Sequence, residues 1–490
     1  MADRGRCDDN RARLSPGEDV HWIVALLATP ELPPDARRTF RYHLAYAVLD
    51  AAAGGILLNA PLVAIKEIGA PNWQLPMREL YTGMGMLVTL YLGCCMARRP
   101  KMPFVVIPGL LCGLFSLGMA LAMRSAFLFL TFFSISAMLE IMARSAVSTV
   151  LRNNYPAAQR GAATGEVRKW CSLAFVVSIL LSAYLLQRAG SQAIHMALGQ
   201  VLVAGCLSLS SFLCFRQIRD REDPGTLRHD FKLEIRDNLR DAVRVVARDG
   251  RFRRYLLGCS IDGFCGMLYF PLILAFLGRT LGFGYFATAA LTHAIPAGVA
   301  FLATGWLGRW FDRCNPWVSW AWVRFAWGLD ALLLAAALPL GQVLPWAVLT
   351  LALLLPGGTA HLAIAVVAPW AVLALPLLGR VLRGSVQGGQ WVLWWQIGVT
   401  YFAPPGEDTS RYLGIMAFLS GLLRLLASAA GMVLASRGVS PATLLTLGGL
   451  GVLGSGVYSL RQAARERREQ QPATIAEFEA RFAKGLGIGD

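Results

Sequence analysis

Apolar segments of about twenty residues recur along this 490-residue chain. A helix of that length crosses the roughly 30 Å hydrocarbon core of a bilayer and satisfies its own backbone hydrogen bonds there. Twelve spans are predicted, near residues 43–65, 75–97, 103–123, 126–150, 168–188, 193–215, 255–278, 284–307, 317–339, 374–402, 411–435 and 440–460. The sequence therefore predicts an all-α polytopic membrane protein.

Polar residues are too scarce for a soluble protein. Only 16% of the residues are charged and 56% are apolar, so polar groups could not cover the surface of a soluble domain. A polar stretch, 216–254, divides the spans into two sets of six. Within it, Asp230 is placed to cap a helix and Gly250 to end it, and the apolar positions between them share one face. This pattern predicts an amphipathic helix on the membrane surface.

The positive charge of the chain is concentrated in alternate loops. The net charge is +16, and twelve Arg and Lys residues lie in 216–254. Because loops rich in Arg and Lys stay in the cytoplasm, this linker and both Arg-rich termini are predicted to be cytoplasmic, which requires an even number of spans. Topology thus explains the charge, and no nucleic-acid partner is expected. The predicted location is the bacterial cytoplasmic (inner) membrane.

The two sets of spans repeat at one offset. After a shift of 212 positions, four residues meet identical ones: Arg41 and Arg253, Asp50 and Asp262, Gly54 and Gly266, Gly93 and Gly305. Such repetition is typical of transporters built from two similar halves. We predict two pseudo-symmetric six-helix bundles. The five predicted regions are a cytoplasmic segment 1–40, a first bundle 41–215, a cytoplasmic linker 216–254, a second bundle 255–460 and a cytoplasmic tail 461–490.

The second half is longer than the first, and most of the surplus is the apolar stretch near 343–372. It contains no Asp, Glu, Lys or Arg, and Pro356-Gly357-Gly358 in its middle is a turn signal. An even number of spans allows two alternatives. One is an extra membrane hairpin, which gives fourteen spans instead of twelve; the other is an apolar segment outside the bilayer. The lack of charge favours the hairpin.

The sequence offers no residue set for catalysis or for holding a metal or cofactor. Its ten cysteines are scattered, with no CxxC and no Cys/His ligand spacing. No Ser/His/Asp set is present and no GxxxxGK[ST] pattern, so the chain itself is not expected to hydrolyse ATP. We expect no cofactor and no enzymatic activity. The alternatives to a transporter are a membrane enzyme acting on lipid-linked substrates and a transporter-like sensor.

Two predicted cytoplasmic loops carry a family resemblance. Gly305 to Arg313 reads GWLGRWFDR, and Arg152 to Gly165 reads RNNYPAAQRGAATG. Both resemble the interhelical loop motifs of the major facilitator superfamily. The stretch RGSVQGGQWVLWW, followed by YFAPPGEDTSRYLG, is similar to the second half of bacterial members. The resemblance covers residues 40–460. It implies two six-helix bundles around a central cavity and a secondary transporter that works by alternating access.

The resemblance also implies gating residues. The candidates are Gly305, Arg309, Asp312, Arg313 and Arg160. Gly305 would let two helices approach closely, and the charged residues would hold a facing helix end until the bundles rock. The alternative is that Arg309 and Arg313 only set the topology. The first half departs from the family pattern, because Pro100 stands where the repeat places Asp312.

Ionisable residues inside a bilayer mark functional sites by default, because charge is costly there. Asp50 and Asp262 each lie nine positions inside a flanking Arg, about 13 Å deep and close to the midplane. On the spans that line the cavity in the resembling family, the polar residues near mid-depth are Asp50, Glu140, Arg144, Asp262, Gln387, Gln390 and Gln396. We predict that these residues bind the solute or carry a coupling proton.

Simpler roles are open for the same residues. Glu140 and Arg144 are spaced i,i+4 and could neutralise each other. Asp50, Asp262 and the glutamines could hydrogen-bond neighbouring helices. Three further charged residues fall inside spans without an assigned role: Arg324, Asp330 and Arg424. The predicted function is a monomeric, proton-coupled secondary transporter of a small solute, in contact with membrane lipids. Its substrate and direction are left open.

Overall fold

The computed structural model describes residues 32–96, 99–156, 159–219, 235–353, 372–387, 401–402 and 409–469. Within these residues the chain forms helices joined by short turns, and no strand. The predicted cap Asp230 and the glutamines Gln390 and Gln396 lie outside the described residues, as do most of the predicted termini.

The first half contains seven labelled helices. They are α1 (Pro34–Leu57), α2 (Ala60–Lys66), α3 (Met77–Met96), α4 (Met102–Gly118), α5 (Ala126–Asn154), α6 (Arg160–Ala189) and α7 (Ala193–Phe215). Short 3₁₀ turns follow or join them at Asn72–Gln74, Met119–Ala122 and Gly190–Gln192. Proline stands at the first turn of α1, α2 and α4, where its missing N–H costs no hydrogen bond.

The second half continues the labels. Its helices are α8 (Ile235–Arg248), α9 (Gly250–Tyr269), α10 (Tyr285–Ala289), α11 (Ile295–Arg313), α12 (Pro316–Leu353), α13 (residues 372–387), α14 (Thr409–Ser436) and α15 (Pro441–Arg468). Between α9 and α10 lie a 3₁₀ turn, Phe270–Leu272, a single α-turn, Ile273–Ala275, and a π-turn, Phe276–Thr280. A second π-turn, Ala290–Ala294, joins α10 to α11.

The predicted spans correspond to these helices. Nine helical stretches of the described chain are long and apolar enough to cross a membrane, and one of them, Ala163–Phe215, contains most of α6 and all of α7. They correspond to ten of the twelve predicted spans; the spans near 75–97 and 374–402 are not among them. The all-α membrane architecture with two bundles is therefore confirmed. The helices are longer than the predicted spans: α1 begins at Pro34 and α15 ends at Arg468. Hydropathy detects only the apolar part of a helix, so polar turns at its ends are missed.

The linker helix α8 ends at Arg248, close to the predicted stop at Gly250. Gly250 instead opens α9, because the Asp249 carboxylate caps that helix by accepting from the backbone N–H groups of Arg251 and Phe252 at 3.0 and 3.1 Å. The two helices are thus separated by one capping residue.

The apolar insert begins inside α12. This helix has 38 residues and continues without a break to Leu353. A straight helix of that length measures about 57 Å, nearly twice the thickness of the hydrocarbon core. Residues 354–371 lie outside the described residues, so the extra hairpin stays a prediction.

The two halves have corresponding internal packing. In the first half α1 packs on α6 and α7, and α4 packs on α5 and α7; in the second half α9 packs on α14 and α15, and α12 packs on α15. The halves meet where α3 packs on α14 and where α6 packs on α10. Apolar residues from both sides share one core there: Leu62 and Ile179 from the first half lie with Tyr285 and Ala289 from the second.

Candidate substrate cavity and the contacts that close it

A cavity of about 210 Å³ lies at the junction of the halves. Most of its lining comes from the second half, namely α9 and the 3₁₀ turn after it, α12, α13 and α14, and α3 of the first half contributes Met86. The lining residues are Met86, Cys259, Asp262, Gly263, Gly266, Met267, Phe270, Trp327, Arg383, Gln387, Ser420, Leu423 and Arg424. Two predicted site residues, Asp262 and Gln387, are among them. The Gln387 side-chain oxygen accepts no hydrogen bond from any residue that the structure describes.

The Asp262 carboxylate forms a buried ion pair. Its Oδ2 lies 3.8 Å from Nε of Arg324, and both side chains are almost fully buried. Arg324 also donates to Ser459 Oγ and, at 3.7 Å, to Cys259 Sγ. Its guanidinium lies over the ring of Trp320, 5.1 Å from the centroid. Arg324, which had no role from sequence, therefore compensates the charge of Asp262 within the second half.

A second ion-pair group lies beside the cavity. Asp330 Oδ2 accepts a hydrogen bond from Arg380 and lies 3.6 Å from Nη1 of Arg383. The guanidinium of Arg383 lies over Phe270 and Trp327, 4.8 Å from each ring centroid. Sequence reasoning missed both arginines. The sequence did contain a signal for them, because Arg380 and Arg383 both lie inside an apolar span and their i,i+3 spacing puts them on one helix face.

The three predicted residues of the first half lie together. Glu140 and Arg144 form an ion pair at the i,i+4 spacing, and the Arg144 side chain is 55% exposed. The Asp50 carboxylate interacts electrostatically with both. Glu140 and Arg144 therefore lie close enough to neutralise each other's charge, as the simpler of the two predicted roles requires. Asp50 and Asp262, which match in the repeat, have different surroundings: Asp50 interacts with an acid and a base, whereas Asp262 interacts with two bases, Arg324 and Arg383.

One ion pair joins the halves beside the cavity. Arg424 of α14 donates to Glu79 of α3 at 2.6 Å, and Arg78 donates to the other Glu79 oxygen at 2.8 Å. The helices cross closely here. A Cβ placed on Gly83 would lie 2.8 Å from the backbone oxygen of Gly421. Arg424 therefore belongs both to the cavity lining and to a contact between the halves.

Further contacts join the turn after α2 to the turn between α9 and α10. Lys66 Nζ donates to the carbonyl of Phe283 at 2.7 Å, and the Tyr285 hydroxyl donates to Glu67 at 2.6 Å. We call the side of the protein with residues 66–74 and 279–286 the latch face. The opposite side, where α1 and α9 begin, is the terminal face.

Arg279 and Gln187 complete the latch. Arg279 donates to the side-chain oxygen of Asn72 at 2.6 Å and to the carbonyl of Ala70 at 2.7 Å. At the start of α10, the N–H of Phe286 donates to Gln187 of α6 at 2.9 Å. Sequence reasoning missed this latch, since its residues stand in short loops or near helix ends and two of its five acceptors are backbone carbonyls. The latch face is thus closed in this structure.

The predicted gating residues of the second half lie at the end of α11, on the terminal face. The surroundings of Gly305 and the side chains of Arg309, Asp312 and Arg313 are outside what the structure describes, and so is the side chain of Arg160 at the start of α6. Their gating role stays a prediction. The lone histidine His293 lies in the π-turn before α11, with its Nε2 buried and without a hydrogen-bond partner among the described residues.

The family model described as Major Facilitator Superfamily matches residues 44–400, which is most of both halves. The chain belongs to the major facilitator superfamily. This confirms the resemblance carried by the loop motifs and identifies the protein as a transporter of that superfamily. No curated protein sequence matches this chain significantly.

Solved structures with the same fold come from several transporter groups. A mutant form of the nucleoside transporter NupG superimposes with a TM-score of 0.62 at 12% identity, over 87% of this chain and 99% of that one. A bacterial homologue of the iron transporter ferroportin in an inward-facing state gives 0.57 at 15%, over 87% and 98%. A POT family transporter in complex with a thioalcohol-conjugated peptide gives 0.57 at 10%, over 87% and 96%. At these identities the likeness shows the fold alone.

Proposed function

We propose that this superfamily member is a secondary active transporter that moves a small solute by alternating access and couples the movement to protons. The observation that carries the proposal is the cavity at the junction of the halves, closed on one side by the latch and by the Glu79–Arg424 pair. Contacts of this kind can break and reform as two bundles rock. The superfamily and its transporter neighbours point away from the enzyme alternative.

The latched state corresponds, in our proposal, to a transporter open towards the cytoplasm. The loops rich in Arg and Lys place the terminal face in the cytoplasm. The latch face then lies outside the cell, and its closure leaves access from the cytoplasm. The ferroportin homologue and a bacterial Spinster homologue of the same fold were both solved in inward-facing states.

Asp50 is the residue we propose for proton coupling. It interacts electrostatically with Glu140 and Arg144, so one guanidinium balances the charge of two carboxylates. One carboxylate can therefore take up a proton while the ion pair stays intact. Asp262 is less suited, because the described charged residues that it interacts with, Arg324 and Arg383, are both basic, and Arg324 lies within salt-bridge distance. Protonation of Asp262 would leave a buried guanidinium unpaired.

The test of coupling is Asp50→Asn in proteoliposomes. A panel of labelled solutes in counterflow first identifies a transported one. We expect Asp50→Asn to lose uptake driven by a pH gradient while solute exchange continues, because exchange needs no net proton movement. Glu469→Gln on the terminal face makes the same carboxylate-to-amide change outside the membrane and should keep both activities. Full pH-driven uptake by Asp50→Asn, and by Asp262→Asn as well, would rule out both carboxylates as coupling groups.

A further inference from the structure

The charged groups that line the cavity are mainly basic. In the described part of the chain they are Arg383, Arg424 and Asp262, and Asp262 already faces Arg324 at 3.8 Å. We propose that the cavity binds a small organic anion, a carboxylate or phosphate group on an apolar body, and that Arg383 and Arg424 bind its charged group. This proposal rests on the proposed transport function and names its class of solute.

The ion pairs around the cavity contain more positive than negative charge. Five arginines and three carboxylates take part: Arg78, Arg324, Arg380, Arg383 and Arg424, with Glu79, Asp262 and Asp330. Two positive charges therefore lack a carboxylate. Residues 388–400, which complete the tenth predicted span, contain no Asp or Glu. The Asp50, Glu140 and Arg144 group of the other half adds at most one net negative charge, so the sum stays positive. Buried charge is costly without a counter-ion, and an anionic solute supplies one.

Arg383 is held in place without using up its hydrogen-bond donors. Its Nη1 lies 3.6 Å from Asp330 Oδ2, too far for a hydrogen bond, and that oxygen already accepts from Arg380. The rings of Phe270 and Trp327 fix the plane of the guanidinium. A planar guanidinium presents its N–H groups as a fork that matches a carboxylate or phosphate. Arg383 therefore has the position and the donors to bind an anion in the cavity.

Arg424 connects binding to the closure of the protein. It donates one hydrogen bond to Glu79, and Glu79 keeps a second partner in Arg78. An anion can therefore compete for Arg424 without leaving the Glu79 carboxylate unpaired. Because Glu79 belongs to the first half and Arg424 to the second, this competition weakens a contact that holds the halves together. Binding of the anion is thereby linked to the opening of the α3–α14 crossing.

The rest of the lining sets the size and character of the anion. Apolar side chains surround the two guanidinium groups: Met86, Met267, Phe270, Trp327 and Leu423. The cavity of about 210 Å³ is smaller than the roughly 300–1,000 Å³ typical of drug-sized sites. A single ring or a short aliphatic chain with one acidic group fits these limits.

Calorimetric titration of the purified full-length chain in detergent tests the proposal. The probes are benzoate, phenylacetate and phenyl phosphate, with benzamide, phenylacetamide and benzylamine as neutral and cationic counterparts. We expect at least one anion to bind at least tenfold more tightly than every neutral or cationic counterpart. Comparing benzoate and phenylacetate with phenyl phosphate shows whether the site prefers a carboxylate or a phosphate. Arg424→Gln and Arg383→Gln should each weaken the binding of that anion at least tenfold.

Matched variants keep the test decisive. Arg437→Gln removes an exposed Arg beyond the end of α14 and should leave anion affinity unchanged. If Arg383→Gln does not fold, Arg383→Lys keeps the charge but loses the fork, and should still weaken binding. Failure of every anion to bind, tighter binding of a neutral probe or benzylamine, or unchanged affinity in the Arg424 and Arg383 variants overturns the proposal. Binding can be measured without a transport cycle, so the two proposals fail separately. Transport of neutral or cationic solutes only would refute the anion site. Binding of anions without any transport would refute the transport function.

Discussion

At the scale of single residues, buried arginines decide what the acidic residues can do. Asp262 and Asp50 occupy matching positions in the repeat, yet Asp262 is paired with Arg324 and Asp50 lies beside an acid and a base. Removing one partner of a buried ion pair leaves the other charge without compensation. We therefore propose a structural role for Asp262, whose interacting charges are basic, and a proton-carrying role for Asp50, which has a second acid nearby.

Asp262→Asn should destabilise the protein. The change leaves the fully buried Arg324 without its carboxylate, and breaking a buried pair in this way costs about 3–5 kcal/mol. Thermal unfolding of the purified protein, followed by tryptophan fluorescence, measures the effect. Replacing Arg324 by Met together with Asp262→Asn removes both charges and should recover part of the loss. Unchanged stability of the single variant would mean that the pair contributes nothing to the fold.

At the scale of helices, the α3–α14 crossing and the latch hold one side closed. Gly83 and Gly421 let the two helices approach until a Cβ on Gly83 would meet backbone atoms of α14. The latch adds hydrogen bonds from charged side chains, such as those of Arg279. The helix crossing and the latch both lie on the same side of the cavity. Weakening either one should therefore shift the protein towards the state in which this side is open.

Gly83→Ala should open the crossing. Its Cβ would lie 2.8 Å from the Gly421 oxygen and 2.9 Å from the Leu425 nitrogen, so the backbones must separate. Electron–electron resonance distances between spin labels at Ile68 and Phe286, on the two sides of the latch, should become longer. Gly414→Ala on α14 is the control, because a Cβ there meets nothing within 4 Å. Identical distance distributions in the two variants would contradict the role of the crossing.

Arg279→Ala should open the latch by another route. It removes hydrogen bonds to Asn72 and Ala70, and a bond from a charged donor contributes about 1.5–3 kcal/mol. The same label pair should report at least a tenfold rise in the ratio of long to short distances. Arg188→Ala, at the end of α6, removes an Arg of the latch face that donates to the Tyr184 hydroxyl within its own helix. An equal shift in that variant would assign the change to surface charge.

At the scale of the whole molecule, the latch and the topology charges lie on opposite faces. The latch is built from short turns between α2 and α3 and between α9 and α10. The terminal face holds the starts of α1 and α9 and the Arg-rich end of α15. The positive-inside rule predicts that the terminal face is cytoplasmic, and in our proposal the latch then closes the outer side.

Reporter fusions at Arg221 and after Arg468 should both behave as cytoplasmic. Both positions lie in Arg-rich stretches, which stay on the cytoplasmic side during insertion. Alkaline phosphatase, active only outside the cytoplasm, and green fluorescent protein, fluorescent only inside it, measure the outcome at each point. A fusion at Gly282 in the latch face should give the opposite signals. External signals at Arg221 or after Arg468 would reverse the assignment of the faces and of the proposed state.

The sequence by itself determined the membrane class, the two six-helix halves and the superfamily. These follow from hydropathy, loop charge and short motifs, which are local properties of the chain. It also predicted that Asp50 and Asp262 lie at matching depth in the membrane. Only the tertiary structure decided which groups pair. Arg324 is 62 positions from Asp262 and Arg424 is 345 positions from Glu79, and helix rotation and the approach of the halves set such contacts. Periodicity along one helix carries no information about its neighbours, so the cavity and the latch emerge only when the helices pack.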